Sequence, residues 1–212
     1  MKKLLATVFA LSATPAFAHH PLAGAPMETF THGLLSGVGH PLLGFDHLFF
    51  VIAIGIAAAY TGRALLAPMG YVVGMLGGIG LILGGVALPA VEVVIALSLL
   101  IAGGILMAGR RISMALCLGL FSTLGLFHGW AFGESLTAQE AGVGAGVIIG
   151  YLLGLAVIQW AIAVAAGWLA RRFGETTAHM APRLSGAMVA GIGLFLVMEA
   201  AEGAAFAALG LG

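Results

Sequence analysis

The sequence predicts an all-α fold: a polytopic transmembrane helical bundle of about six helices after a cleaved signal peptide. Three observations carry that expectation. The chain of 212 residues is 61% hydrophobic and only 8% charged, too little charge to keep a domain of this size in water. The charges sit in short breaks between long uncharged stretches, each near the ~20 residues with which a helix crosses a hydrocarbon layer of ~30 Å. The arginines fall at alternate breaks, as in a chain that threads a membrane back and forth.

From the N-terminus, residues 1–18 read as a signal peptide. Lys2 and Lys3 form its charged region, Leu4 to Ala13 its apolar run, and Ala16-Phe17-Ala18 its small-residue cleavage site. The apolar run is short for an uncleaved anchor, so His19 becomes the mature N-terminus, outside the cytoplasm. Residues 19–40 are then an outer N-terminal segment, 41–203 the six-helix transmembrane domain and 204–212 an outer C-terminal tail. The spans fall at roughly 41–61, 67–87, 90–109, 113–133, 142–170 and 184–203. Arg63 follows the first span, Arg110 and Arg111 the third, and Arg171, Arg172 and Arg183 the fifth. The positive-inside rule makes those connections cytoplasmic and both mature termini external, in agreement with the signal peptide. The expected location is a bacterial inner (cytoplasmic) membrane, with the lipid bilayer as partner.

Gly70, Gly74 and Gly78 repeat every fourth residue in the second span, as do Gly142, Gly146, Gly150 and Gly154 in the fifth. Such stripes let helix backbones approach closely where packing, rather than water exclusion, holds helices together. Other classes of function drop out. Net charge is zero and no basic patch exists, so no nucleic-acid partner is expected. The single cysteine, Cys117, excludes an intrachain disulfide and a multi-thiolate metal site. No Gly-x-x-x-x-Gly-Lys loop is present for nucleotide-driven pumping.

An ionisable residue costs roughly 2.5–3.5 kcal/mol at the bilayer centre on insertion scales, so the few that occur within the spans are informative. His40, Asp46 and His47 open the first span, Glu92 opens the third, and His128 and Glu134 close the fourth. With the orientation above, all six fall in the outer part of the membrane. Pro41 suits the first turn of a helix, which puts His40 on the lead-in segment and Asp46 and His47 about one turn deeper. On an uninterrupted helix His40 and His47 stand ~10 Å apart, too far for one ion. A break at His40-Pro41, eased by Gly39 and Gly44, would bring them together. Nitrogen and carboxylate donors suit a borderline dication, Ni²⁺, Co²⁺ or Zn²⁺, better than copper(I). His19, His20 and His32 precede the first span on the outer side, as candidates for metal capture. Glu199 and Glu202 close the sixth span, and no role follows for them from the sequence.

The run His40-Pro41-Leu42-Leu43-Gly44-Phe45-Asp46-His47 resembles the His-Pro-x-x-Gly-x-Asp-His signature of the HupE/UreJ family. Phe127-His128-Gly129 with Gly133-Glu134 resembles that family's second motif, and Glu92-Val93-Val94-Ile95-Ala96-Leu97-Ser98 its third-span opening. The resemblance implies uptake of nickel or cobalt by a membrane permease, alongside a nickel enzyme or a cobalamin pathway. It also implies that His40, Asp46, His47, Glu92, His128 and Glu134 form the functional set. One departure stands out: where many relatives carry a second histidine in the span-four motif, this chain has Phe132.

The reading is therefore a non-enzymatic secondary permease with a His/carboxylate site in the outer part of the bundle. Two alternatives belong to other classes. An intramembrane zinc hydrolase would use the histidines and Asp46 to activate water, although no His-Glu-x-x-His pair is present. A metal sensor or assembly factor would bind the ion without conveying it. Oligomeric state does not follow from the sequence.

Overall fold

The computed structural model describes residues 26–139 and 142–209, so the signal peptide, His19, His20 and Glu140 lie outside the described residues. Among the described residues there are seven helices and no strand. They are α1 (Phe30–Leu43), α2 (Phe45–Ala59), α3 (Met69–Leu83), α4 (Val91–Met107), α5 (Met114–Thr137), α6 (Ala145–Phe173) and α7 (Met180–Ala208). The last six lie at the six expected spans. Helices α5, α6 and α7 are each long and apolar enough to cross a membrane, and α1 with α2 forms an apolar pair bent by 81°. Helices α3 and α4 have 15 and 17 residues, about 22 and 26 Å at ~1.5 Å per residue. The side chains turned outward are apolar, including Ile149, Leu153 and Val157 on α6 and Leu184, Met188 and Phe195 on α7, as a lipid-facing surface requires.

Helix α1 begins in the expected N-terminal segment and runs past residue 40 into the start of the expected first span. Thr29 caps it by accepting the His32 amide at 3.1 Å, and the helix runs through His40 and Pro41 to Leu43. The break therefore sits at Gly44 rather than at His40-Pro41. Pro41 lies in the last turn of α1, where it forfeits only the bond to the Gly37 carbonyl, and the helix tolerates that loss. Gly44 leaves the helical region at ψ 100°, donates to the His40 carbonyl at 3.0 Å and accepts from Leu48 at 2.9 Å, so it ends one helix and starts the next. Its φ of −84° suits any residue. Space is what demands glycine, since a Cβ would stand 2.9 Å from the His47 ring and 3.2 Å from the Asp46 carboxylate.

Glycines bring the helices together in pairs. Helix α3 lies along α5, where a Cβ at Gly74 would come within 2.0 Å of the Ser122 carbonyl and one at Gly129 within 1.9 Å of the Met75 carbonyl. Gly70 and Gly78 meet the same helix. Helix α1 lies along α6 through Gly33 and Gly37 on one side and Gly150 and Gly154 on the other. Helix α4 lies along α7 through Gly103, Gly186 and Gly193. Gly142 and Gly146 do not share in this packing: Gly142 is in the turn before α6 with φ +71°, and neither has an atom within 4 Å of its Cβ position. The stripe on α6 is a packing surface only from Gly150 onward. Helix α2 threads the centre, buried along nearly its whole length, and touches α6 closely where Gly55 meets Ala163 and Gly167.

The arginines gather at one end of the bundle. Arg171 donates to the Ala59 carbonyl at 3.1 Å and Arg183 to the Met107 carbonyl at 3.0 Å. Each thus supplies a donor to the final carbonyl of α2 or α4, where the helix dipole favours a cation. Tyr60 donates to the Gly174 carbonyl at 2.8 Å and Thr177 to the Gly109 carbonyl at 2.7 Å, closing the same end.

Gly129→Ala and Gly74→Ala are each expected to lower the stability of the detergent-solubilised protein by about 1–3 kcal/mol through forced backbone separation. Gly146→Ala, with open space at its Cβ position, is expected to leave the melting temperature unchanged. Thermal melts of the three variants against the parent chain check the contrast.

Candidate metal site

The bend at Gly44 builds the first half of the site. It sets His40 at the end of α1 across from Asp46 and His47 in the first turn of α2, with the His40 and His47 ring centroids 6.2 Å apart. Asp46 lies at a helix N-terminus, where the dipole favours its negative charge. Its Oδ2 is 3.8 Å from His47 Nε2.

Helix α5 supplies the second half. His128 is fully buried, stacked on Phe50 at 4.3 Å with the rings 8° from parallel. Its Nδ1 lies 2.8 Å from His47 Nδ1 and its Nε2 lies 2.9 Å from the Ser98 hydroxyl on α4. Both ring nitrogens of His128 are thus engaged within the protein, and it supports His47 from behind. One turn along α5, Phe132 wedges between the two outer histidines, 4.2 Å from the His47 ring and 5.1 Å from the His40 ring. Tyr151 of α6 donates to the Phe132 carbonyl at 2.9 Å and meets His40 Nδ1 at 2.9 Å, with Ser135 3.1 Å from the same nitrogen.

These groups open on a cavity of about 620 Å³. His40, Asp46, His47, Glu92, Glu134 and Glu199 line it, and no lysine or arginine does. A dication with a first shell of about six waters needs on the order of 200 Å³, so a hydrated ion fits. Four carboxylates with no lysine or arginine among the described lining residues favour a cation in the cavity. Among the described residues no three His, Cys, Asp or Glu side chains converge tightly enough to hold one bare ion. The donors are gathered around a space rather than closed on a point.

Of the residues expected from the sequence, His40, Asp46, His47, Glu92 and Glu134 reach the cavity, and His128 stands one layer behind it. His32 does not line it; its ring accepts from the Glu28 amide at 3.3 Å in the first turn of α1. Glu199, for which no role follows from the sequence, lines the wall formed by α7. Ser98, Ser135 and Tyr151 complete the polar frame, and only Ser98, as the last residue of the Glu92 motif, stood in a recognisable pattern.

A profile of the family described as HupE / UreJ protein matches residues 7–196. Protein HupE of Rhizobium leguminosarum bv. viciae is 29% identical over 196 residues, which cover 92% of this chain and 97% of that relative. No solved structure matches the chain. The family match stops short of Glu199.

Phe132→His would place a third imidazole between His40 and His47. Ni²⁺ binding to the purified variant, followed by titration calorimetry, is expected to tighten by about tenfold, or ~1.4 kcal/mol. An unchanged affinity would mark the Phe132 position as packing alone.

Proposed function

Because the chain belongs to the HupE/UreJ family, we propose that it is a secondary permease for uptake of Ni²⁺ or Co²⁺, acting through the His/carboxylate cavity. The observation that carries this reading is the meeting of His40, Asp46, His47, Glu92 and Glu134 around one cavity free of lysine and arginine. The chemistry of those donors narrows the cargo. Imidazole favours a transition metal over Mg²⁺ or Ca²⁺, and the absence of sulfur from the cavity lining disfavours copper(I). Zn²⁺ fits the same donors less selectively, and the association that the HupE/UreJ resemblance implies supports nickel or cobalt as the cargo.

The opposite, arginine-rich end supports a cytoplasmic assignment for that face by the positive-inside rule, so the cavity opens outward. The carboxylates of Glu92, Glu134 and Glu199 draw a hydrated dication in. Asp46 and the imidazoles of His47 and His40 replace part of its water. Below His47 the stacked Phe50 and His128 block the way, so onward passage requires this pair to move. Deeper in the bundle Tyr71 bonds Gln159, and Gln159 Nε2 meets Met75 Sδ at 2.7 Å, so the interior past the block contains buried polar groups. A negative-inside potential favours inward movement of a dication by roughly 4–5 kcal/mol per 100 mV, enough to drive uptake without nucleotide.

Asp46→Asn removes the charge beside His47 while keeping its shape. In proteoliposomes with an inside-negative potential, it is expected to abolish Ni²⁺ and Co²⁺ accumulation by a protein that still folds and inserts. Undiminished uptake would sink the proposal. Tight Ni²⁺ binding by the parent chain without flux would instead identify a sensor or assembly factor.

A further inference from the structure

Ser98 lies fully buried on α4, away from the cavity lining, yet its hydroxyl governs a chain of hydrogen bonds that ends there. Ser98 Oγ is 2.6 Å from the Ile95 carbonyl oxygen. Two oxygens that close need a hydrogen between them, and the carbonyl has none, so the single hydroxyl hydrogen of Ser98 points to Ile95. Ser98 therefore meets His128 Nε2, 2.9 Å away, with a lone pair, and that nitrogen carries the proton. A neutral His128 then offers a lone pair at Nδ1. The 2.8 Å contact with His47 Nδ1 also needs one proton, which must belong to His47. A neutral His47 protonated at Nδ1 has its remaining lone pair at Nε2, the atom 3.8 Å from Asp46 Oδ2.

We propose that Ser98, acting through His128, is a positioning residue that holds His47 in its Nδ1-protonated tautomer. The Nε2 lone pair is thereby set beside the Asp46 carboxylate as a donor pair for a divalent transition-metal ion. The ligand named here rests on the permease reading; the tautomer does not. The reverse arrangement would have Ser98 donating to His128, His128 to His47 and His47 Nε2–H directed at Asp46. It would strip the hydrogen from the 2.6 Å contact with Ile95 and put a proton where the ion would bind. The same order recurs at His40: Tyr151 gives its hydrogen to the Phe132 carbonyl at 2.9 Å and so meets His40 Nδ1 with a lone pair.

The test is ¹⁵N NMR of the full chain, labelled at histidine and held in nanodiscs without metal, with His47 assigned by its loss in His47→Gln. The expected wild-type spectrum shows His47 protonated at Nδ1 and unprotonated at Nε2. Ser98→Ala removes the acceptor from His128 Nε2 and is expected to shift His47 toward the Nε2-protonated form. It should weaken Ni²⁺ binding by about 10–100-fold, the usual effect of removing a group that orients a metal ligand. Ser98→Thr keeps the hydroxyl and is expected to restore both readouts. A wild-type His47 protonated at Nε2, or an unchanged tautomer in Ser98→Ala, would overturn the proposal. Wild-type protein with the expected tautomer and no affinity for Ni²⁺ would overturn the permease reading, and with it the ligand assigned here. The spectrum and the titration thus separate the two failures.

Discussion

A polar side chain inside a lipid-facing bundle has no water to fall back on, so its partners must come from the protein, and they must come close. Here the 81° turn at Gly44 meets that requirement. Without it, His40 would stand about 10 Å up a straight helix from His47, on a turn of its own. With it, the end of α1 and the start of α2 face each other, and α5 and α6 close around them with Phe132, Ser135 and Tyr151. A side chain at residue 44 would collide with the two groups the turn exists to present, His47 and Asp46. The backbone break and the chemistry of the cavity are the same feature.

The frame around that turn is made of glycine. Three tight unions result: α1 and α2 each on α6, α3 on α5, and α4 on α7. Each rests on backbone atoms in contact, leaving little freedom within a union. The cavity lies where all three meet, since Asp46 and the outer histidines come from the first, Glu134 and Phe132 from the second, and Glu92 and Glu199 from the third. A site shared among rigid parts changes shape when the parts shift, whereas a site within one part does not.

The helix positions were legible in the sequence because charge is so expensive in lipid that the few arginines mark the ends of the spans. Helix α1 was not legible. Its fourteen residues include three glycines, a proline and two histidines, a composition with poor intrinsic helix propensity. What holds it is the reciprocal fit of Gly33 and Gly37 against Gly150 and Gly154, a tertiary fact with no local signal. The site divides the same way. His40, Asp46, His47, Glu92 and Glu134 stood out as costly residues that need a reason to be there. Ser98, Ser135 and Tyr151 did not, because hydroxyl groups are common in membrane helices and can return a bond to their own backbone. Ser98 does bond its own helix at Ile95, and that local bond dictates the side on which its remaining lone pair is offered.

On the permease reading, an open cavity suits the demands of passage. An ion that must leave again is poorly served by a closed cage; conduction needs a site attractive enough to fill and loose enough to empty. Four carboxylates around a wide space attract without enclosing. The selective contact is left to the imidazoles, whose orientation is set from behind. The chain from Ser98 to His128 to His47 runs from α4 to α5 to α2, so it crosses from one rigid union to the next at each step. No union can rotate against its neighbours without stretching one of those two hydrogen bonds. When either bond breaks, the relay from Ser98 no longer sets the proton of His47 at Nδ1. On the permease reading, ion affinity and the packing of the bundle are tied together at these two contacts, the kind of coupling that alternating access requires of a carrier.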